Sequence, residues 1–234
     1  MELTEESFVA KLRTLQSAAE LKKYERFFPL AKRNGDQFIG VRMGQVFKLA
    51  KEFMGMPLKE VEKLLENPVH EVRVGAVSIM DFQARSKKTS EGRKKELFDL
   101  YLRRHDRINT WDLVDRSAFH VVGSYLADKP RAVLYKLARS NQMAERRTAM
   151  VSTAMFEDTA DTFKIARMLL GDQDELIHKA AGWMLRVAGD KDRERLLAFL
   201  DEHAATMPRA MLRYAIEKLE AKKRAHYLAI KQGN

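Results

Sequence analysis

The chain has 234 residues, 45% of them hydrophobic, and 43 Lys and Arg against 33 Asp and Glu give a net charge of +10. No cysteine occurs, which excludes a disulfide framework and thiolate metal sites and is compatible with a reducing cytoplasm, the expected location. There is no run of roughly 18 apolar residues, so no membrane span is expected, and the acidic, amphipathic start MELTEESFVAKLRTL does not read as a secretory leader. The basic excess fits a polyanion such as nucleic acid, or an anionic membrane surface, although a merely basic soluble protein would show the same balance.

With 11 Gly and 5 Pro, and with Leu, Ala, Glu, Lys and Arg abundant, the composition points to helices. Thr4 is placed to cap a first helix over 4–16, and a second fits 18–28 and stops at Pro29. RNGDQFIGVRMG (33–44), with three glycines, reads as a loop. Helices then fit 43–54, ending at Gly55, and 57–66, opened by Pro57, with a turn at Asn67-Pro68. Further helices fit 69–84 and 93–104, separated by the polar RSKKTSEG, followed by one over 109–125. Lys129-Pro130 opens a helix to 138, and Asn141 is placed to cap the next. The remainder fits 161–170, 174–188, 191–202 and 208–219, before a basic tail, AKKRAHYLAIKQGN. No segment reads as a strand.

About a dozen short helices with short links form the pattern expected of a helical solenoid in a single domain. One internal echo supports it: EVRVGAVS (71–78) and ERRTAMVS (145–152) share Glu, Arg, Val and Ser at matching places. Their offset is two periods near those of HEAT-type helix pairs, although two ordinary amphipathic helices could also produce it.

The stretch NTWDLVDRSAFHVVGSY (109–125) carries the sharpest chemical signal. On a helical wheel Trp111 and Asp115 lie four apart on one stripe with Ala118 and Val122. Asp112, Arg116 and His120 fall on the opposite, polar side, where Asp112 reads as a water-facing acid of the first turn. Asp115 instead sits among apolar positions, where an ionised carboxylate is costly unless it is paired or used. A buried Asp capping a neighbouring helix, or paired with an Arg, is the structural alternative.

Two further helices carry polar groups on apolar stripes. Met143, Arg147, Met150 and Ala154 share one, and Leu176, Lys179, Trp183, Arg186 and Val187 share another. Gly182, in mid-helix, implies that a backbone or a ligand comes close. Trp and Arg at i, i+3 can line a groove for a sugar-phosphate backbone, or Trp183 can be core and Arg186 can snorkel to water. The six histidines show no metal-binding spacing, and no phosphate-binding glycine motif occurs, so neither metal nor cofactor is expected.

INTWDLVD, ERRTAMVST, HKAAGWMLR and MPRAMLRYAIEKL, in this order, resemble the AlkD-like DNA alkylation repair proteins, HEAT-like-repeat DNA glycosylases. FIGVRMG and HEVRVGAV are similar to that family's N-terminal half, so the resemblance runs from about Tyr24 to Leu219. It implies an all-α, right-handed superhelical solenoid of HEAT-like antiparallel helix pairs with a basic concave face for duplex DNA. It also implies excision of positively charged N-alkylated purines, 3-methyladenine and 7-methylguanine, without flipping the lesion into a pocket. By the W-x-x-x-D spacing the catalytic carboxylate carries over to Asp115. The cleft tryptophans carry over to Trp111 and Trp183, and DNA-contacting arginines to Arg147 and Arg186; Lys179, on the same stripe, is expected to join them.

The sequence departs from the family pattern in two places. Ala144 stands where relatives have Trp, three residues before the Arg of RR-x-A, and Gly44 and Phe47 stand where Pro and Arg commonly follow GVR. The partner expected is duplex DNA containing alkylated purines, bound by a monomer with no membrane contact. A non-catalytic DNA-binding HEAT-repeat protein and a protein-binding scaffold remain the alternatives, separated from the enzyme by base release and by salt dependence.

Overall fold

A computed structural model describes residues 2–29 and 35–230, so the first two residues of the 33–44 loop and the end of the basic tail lie outside the described residues. Among the described residues there are fourteen α-helices and no strand. An isolated bridge pairs Gln37 with Val69. The chain divides into two compact units, Met1–Ser117 and Ala118–Asn234.

The first unit holds α1 (Glu5–Arg13), α2 (Ala18–Phe27), α3 (Met43–Glu52), α4 (Leu58–Glu66), α5 (His70–Arg85), α6 (Glu91–Arg103) and most of α7 (Trp111–Ala118). Local chemistry sets several of these ends. The Thr4, Ser17 and Ser90 hydroxyls each accept a first-turn backbone N–H, satisfying donors that would otherwise be orphaned. α5 is the centre of the unit and packs against α3, α4 and α6. Val72, Val74, Ala76, Val77, Ile79 and Met80 are buried around its circumference, and so are His70, Glu71, Arg73, Ser78 and Asp81. A helix that is apolar all round belongs in a core, and its polar side chains must then be satisfied inside.

Glu71 does this for the glycine loop. Its carboxylate accepts the backbone N–H groups of Ile39 at 3.1 Å, Gly40 at 2.8 Å and Val41 at 3.3 Å. Gly40 has φ +75°, and a Cβ there would lie 2.3 Å from the Ser17 carbonyl oxygen, so glycine is required at this turn. The loop is thus pinned to α5 through its backbone.

The second unit begins with a π-helical stretch, Phe119–Ser124. It continues with α8 (Ala132–Leu137), α9 (Met143–Ser152), a 3₁₀ turn (Thr153–Met155), α10 (Ala160–Met168), α11 (Glu175–Lys191), α12 (Arg193–His203), α13 (Arg209–Ala215) and α14 (Ala221–Ala229). The single helix expected over 109–125 therefore changes pitch after Ala118, and the wheel drawn through Val122 does not hold there. The basic tail is in fact partly helical: α14 is docked by Tyr227, whose hydroxyl donates to Asp201 at 2.7 Å. Asn141 does not cap α9, which is preceded by Gln142 without a side-chain cap.

α11 is central here, packed against α9, α10, α12 and α13. Asp174 caps it by accepting the Leu176 N–H at 2.8 Å. The close approach expected at Gly182 is to a backbone: an added Cβ would lie 2.3 Å from the Met211 carbonyl oxygen on α13. Gly182→Val should therefore lower stability by roughly 3 kcal/mol, the upper end for overpacking, because a backbone cannot rotate away as a side chain can. A urea unfolding midpoint within error of the parent would show that α13 yields.

The echo noted in the sequence falls on the buried helices α5 and α9. Arg73 and Arg147, its matching arginines, are both buried, at 0% and 4% exposure.

Candidate functional site

Trp111 and Asp115 lie one turn apart on α7, and both are half-buried. Trp111 lines a pocket of 330 Å³ with Tyr24, Phe28, Phe47, Val74 and Asp112 among its walls. Its ring stacks on Phe28, with centroids 6.0 Å apart and planes 11° from parallel.

The polar side of α7 does not face water as the wheel implied. The Asp112 carboxylate is 2.7 Å from Nε2 of His70, whose side chain is fully buried, and also accepts the Thr110 hydroxyl at 2.7 Å. Arg116 donates from Nε to the Ser78 hydroxyl at 2.9 Å and from its terminal nitrogen to Asp81 at 2.7 Å. Its guanidinium carbon lies 4.7 Å from the Phe47 ring centre and 4.9 Å from that of Phe82, within cation–π range. The polar residues of α7 therefore face polar residues inside α5, and Asp112 is a core ion-pair partner rather than a surface acid. Phe47, one of the departures from the family pattern, serves as a platform for Arg116.

Burial opposes charge on His70, but the adjacent Asp112 carboxylate, its hydrogen bond and the nearby Asp36 carboxylate outweigh that and raise the imidazole to about 9. Burial also opposes ionisation of Asp112, yet the charge and hydrogen bond of His70 hold it below the usual carboxylate range. The pair is therefore an imidazolium and a carboxylate at neutral pH.

In the second unit, Lys179, Trp183 and Arg186 follow one another along α11. Leu176, Lys179, Trp183, Arg186 and Val187 are all half-buried, whereas Ile177, Ala180, Ala181, Met184 and Leu185 are buried. The stripe is thus the accessible face of α11, and neither a core Trp183 nor a core-facing stripe describes it. Trp183 meets Phe119 edge to face, with centroids 5.4 Å apart. Lys179 pairs with Glu175 at 2.8 Å, and Arg186, whose side chain is 19% exposed, pairs with Glu217 instead of reaching unpaired into water. Both glutamates are well exposed, so these pairs are weak and exchangeable.

Arg147 is placed differently. It is buried on α9 and donates to the Leu176 carbonyl in the first turn of α11, bracing one helix against the other. Ala144, the other departure, is also buried, so the change falls in packing.

The sequence reading missed His70, Asp81 and the inward role of Arg116. The available signal was α5 itself, a helix with apolar residues all round that also carries His, Glu, Arg, Ser and Asp. Among the described residues no group of three or more His, Asp or Glu side chains is arranged to hold a metal ion, and no helix is long and apolar enough to cross a membrane.

The sequence model of a family described as DNA alkylation repair enzyme matches residues 8–219. Among solved structures, a predicted DNA alkylation repair enzyme from Enterococcus faecalis is similar in fold, with a TM-score of 0.66 at 15% identity, covering 88% of this chain and 97% of that one. No curated protein matches the chain.

Proposed function

Because the chain belongs to the DNA alkylation repair enzyme family, we propose that it is a DNA glycosylase excising positively charged N-alkylated purines, such as 3-methyladenine and 7-methylguanine, from duplex DNA. The observation that carries this reading is the pairing of a carboxylate with an indole one turn apart on α7, together with an accessible Lys–Trp–Arg face on α11. In this reading the helix pairs are HEAT-like repeats, and the protein acts as a cytoplasmic monomer.

Alkylation gives the base a positive charge, so it leaves with little help from a general acid. The barrier lies in the oxocarbenium-like sugar, and a carboxylate near C1′ stabilises that charge and positions water. Asp115 takes this role. Electron-rich indole faces favour such a cation, which is the role proposed for Trp111 and for Trp183. A lesion recognised by its charge and lability needs no shaped base pocket and is engaged without flipping. Lys179 and Arg186 exchange their exposed glutamate partners for phosphates, and Arg147 holds α11 in position.

Incubation with methylated duplex DNA tests the reaction. Released 7-methylguanine and 3-methyladenine are expected; a duplex bound without base release would make the chain a non-catalytic DNA-binding protein.

Binding should weaken steeply with salt, with a log–log slope of magnitude about 0.9 per phosphate neutralised. Removing both Lys179 and Arg186 by Ala substitution should reduce that magnitude by roughly 1.8 if each meets one phosphate. An unchanged slope would remove α11 from the interface, and a flat response of the parent would remove DNA as the partner.

A further inference from the structure

His70 is fully buried. Its Nε2 is 2.7 Å from Asp112, the residue after Trp111, and its Nδ1 is 3.6 Å from Asp36. Asp36 also accepts from Arg73, which lies 3.4 Å from Nδ1, so one carboxylate serves both cations. The imidazole belongs to a triangle of rings: Phe38 stacks on it with centroids 4.9 Å apart, Phe28 meets it at 4.9 Å, and the two phenyl rings lie 5.1 Å from each other. Phe28 is the ring on which Trp111 stacks. His70 is therefore linked to Trp111 by two indirect routes, through Asp112 in the first turn of α7 and through the Phe28 ring.

We propose that His70, as an imidazolium held by Asp112 and Asp36, is a positioning residue that sets the orientation of Trp111, and with it the first turn of α7 that presents Asp115. The proposal rests on the glycosylase reading for its effect on base release, but not for its effect on Trp111. A buried ion pair contributes little net stability compared with apolar packing, so its best-attested use is to fix one arrangement of the elements that carry it. Here those elements are α5, the 35–41 loop and the start of α7.

The titratable and charged groups around His70 are Asp112 from α7, Asp36 from the loop, and Glu71 and Arg73 of its own helix. Among the described residues Tyr24 of α2 is the remaining one. Burial and the Glu71 and Asp112 charges raise its phenol, and its hydroxyl donates to the Val41 carbonyl, so Tyr24 stays neutral. None of these neighbours can replace the proton that His70 loses as pH rises. The folded imidazole titrates at about 9 against an ordinary value of 6.5. The interaction is therefore fully present below the lower value and is lost as pH rises through the upper one.

The test uses Trp183→Phe, which leaves Trp111 as the sole indole. Its emission should titrate with a midpoint near 9, and adding His70→Gln should abolish that step and give the alkaline spectrum at neutral pH. In the otherwise unchanged protein, His70→Gln should slow single-turnover base release near neutral pH by roughly 10²-fold, the scale of a small misplacement, with duplex affinity kept within a few-fold. Should His70→Gln fail to fold, Asp112→Asn carries the test: without the carboxylate the emission midpoint must move down from 9 toward 6.5. Trp111 emission that is flat through this window, or a His70→Gln protein that releases base at the parent rate, would overturn the proposal. A parent that releases no base overturns the glycosylase reading alone, because the Trp111 titration still decides whether His70 positions the indole.

Discussion

Asp115→Asn should slow release of 7-methylguanine by roughly 10²–10³-fold, the usual effect of losing one well-aimed electrostatic stabiliser. The substitution keeps size and shape and removes only the charge, so folding and duplex binding should survive. Removing a negative group from a surface that meets phosphates should hold binding constant or tighten it. A loss confined to the chemical step is the signature of an interaction made only in the transition state. The matching control is a surface acid elsewhere. Asp128, 80% exposed, fits, and Asp128→Asn should leave the rate within a few-fold of the parent. Asp112, the nearer aspartate, cannot serve, because its carboxylate is paired with buried His70 and its loss disturbs the start of α7. Single-turnover base release from methylated duplex, measured for all three proteins, decides the assignment. If Asp115→Asn keeps the parent rate, Asp115 is not the stabilising carboxylate.

How much of this could be read before folding depended on what the wheel assumes. Trp111 and Asp115 share a stripe over one turn, and both are half-buried on α7, so that local inference holds. Beyond Ala118 the pitch changes to a π-helical stretch, where a spacing of 100° per residue no longer applies. The larger error concerned polarity. A wheel sends Asp112 and Arg116 to water because it scores polar residues as outward, but α5 meets them with His70, Ser78 and Asp81 inside the unit. Polar residues on one helix are inward when the facing helix offers them partners, and no single-helix pattern records that. α11 fails in the opposite sense. Its buried side includes Ala180, Ala181 and Gly182, which carry a weak hydrophobic signal, so the bulkier Trp183 and Val187 drew the stripe onto the accessible face. Gly182 itself was legible, because a glycine in mid-helix has few causes besides a close approach, and the Met211 carbonyl supplies it.

Glu71→Ala should destabilise the first unit by roughly 4 kcal/mol, since each buried donor left unmade costs about 1–3 kcal/mol. The Glu71 carboxylate, fully buried, accepts from the N–H groups of Ile39, Gly40 and Val41 in succession. No neighbouring turn can absorb them, because the positive φ of Gly40 and its contact with the Ser17 carbonyl hold the loop backbone in this path. Glu71→Gln keeps one acceptor oxygen and adds two donors with nowhere to go, so its cost should fall between that of Ala and zero. The damage should spread along a defined route. The same loop carries Asp36, which pairs with Arg73, and Phe38, which stacks on His70, so loosening it frees both the charged and the aromatic supports of Trp111. Base release by Glu71→Gln should therefore fall at a temperature where the protein is still folded. Urea unfolding gives the first quantity and single-turnover release the second. A Glu71→Ala protein within about 1 kcal/mol of the parent, the worth of one ordinary hydrogen bond, would mean that the loop finds other partners. Its backbone would then not be what ties the glycine segment to α5.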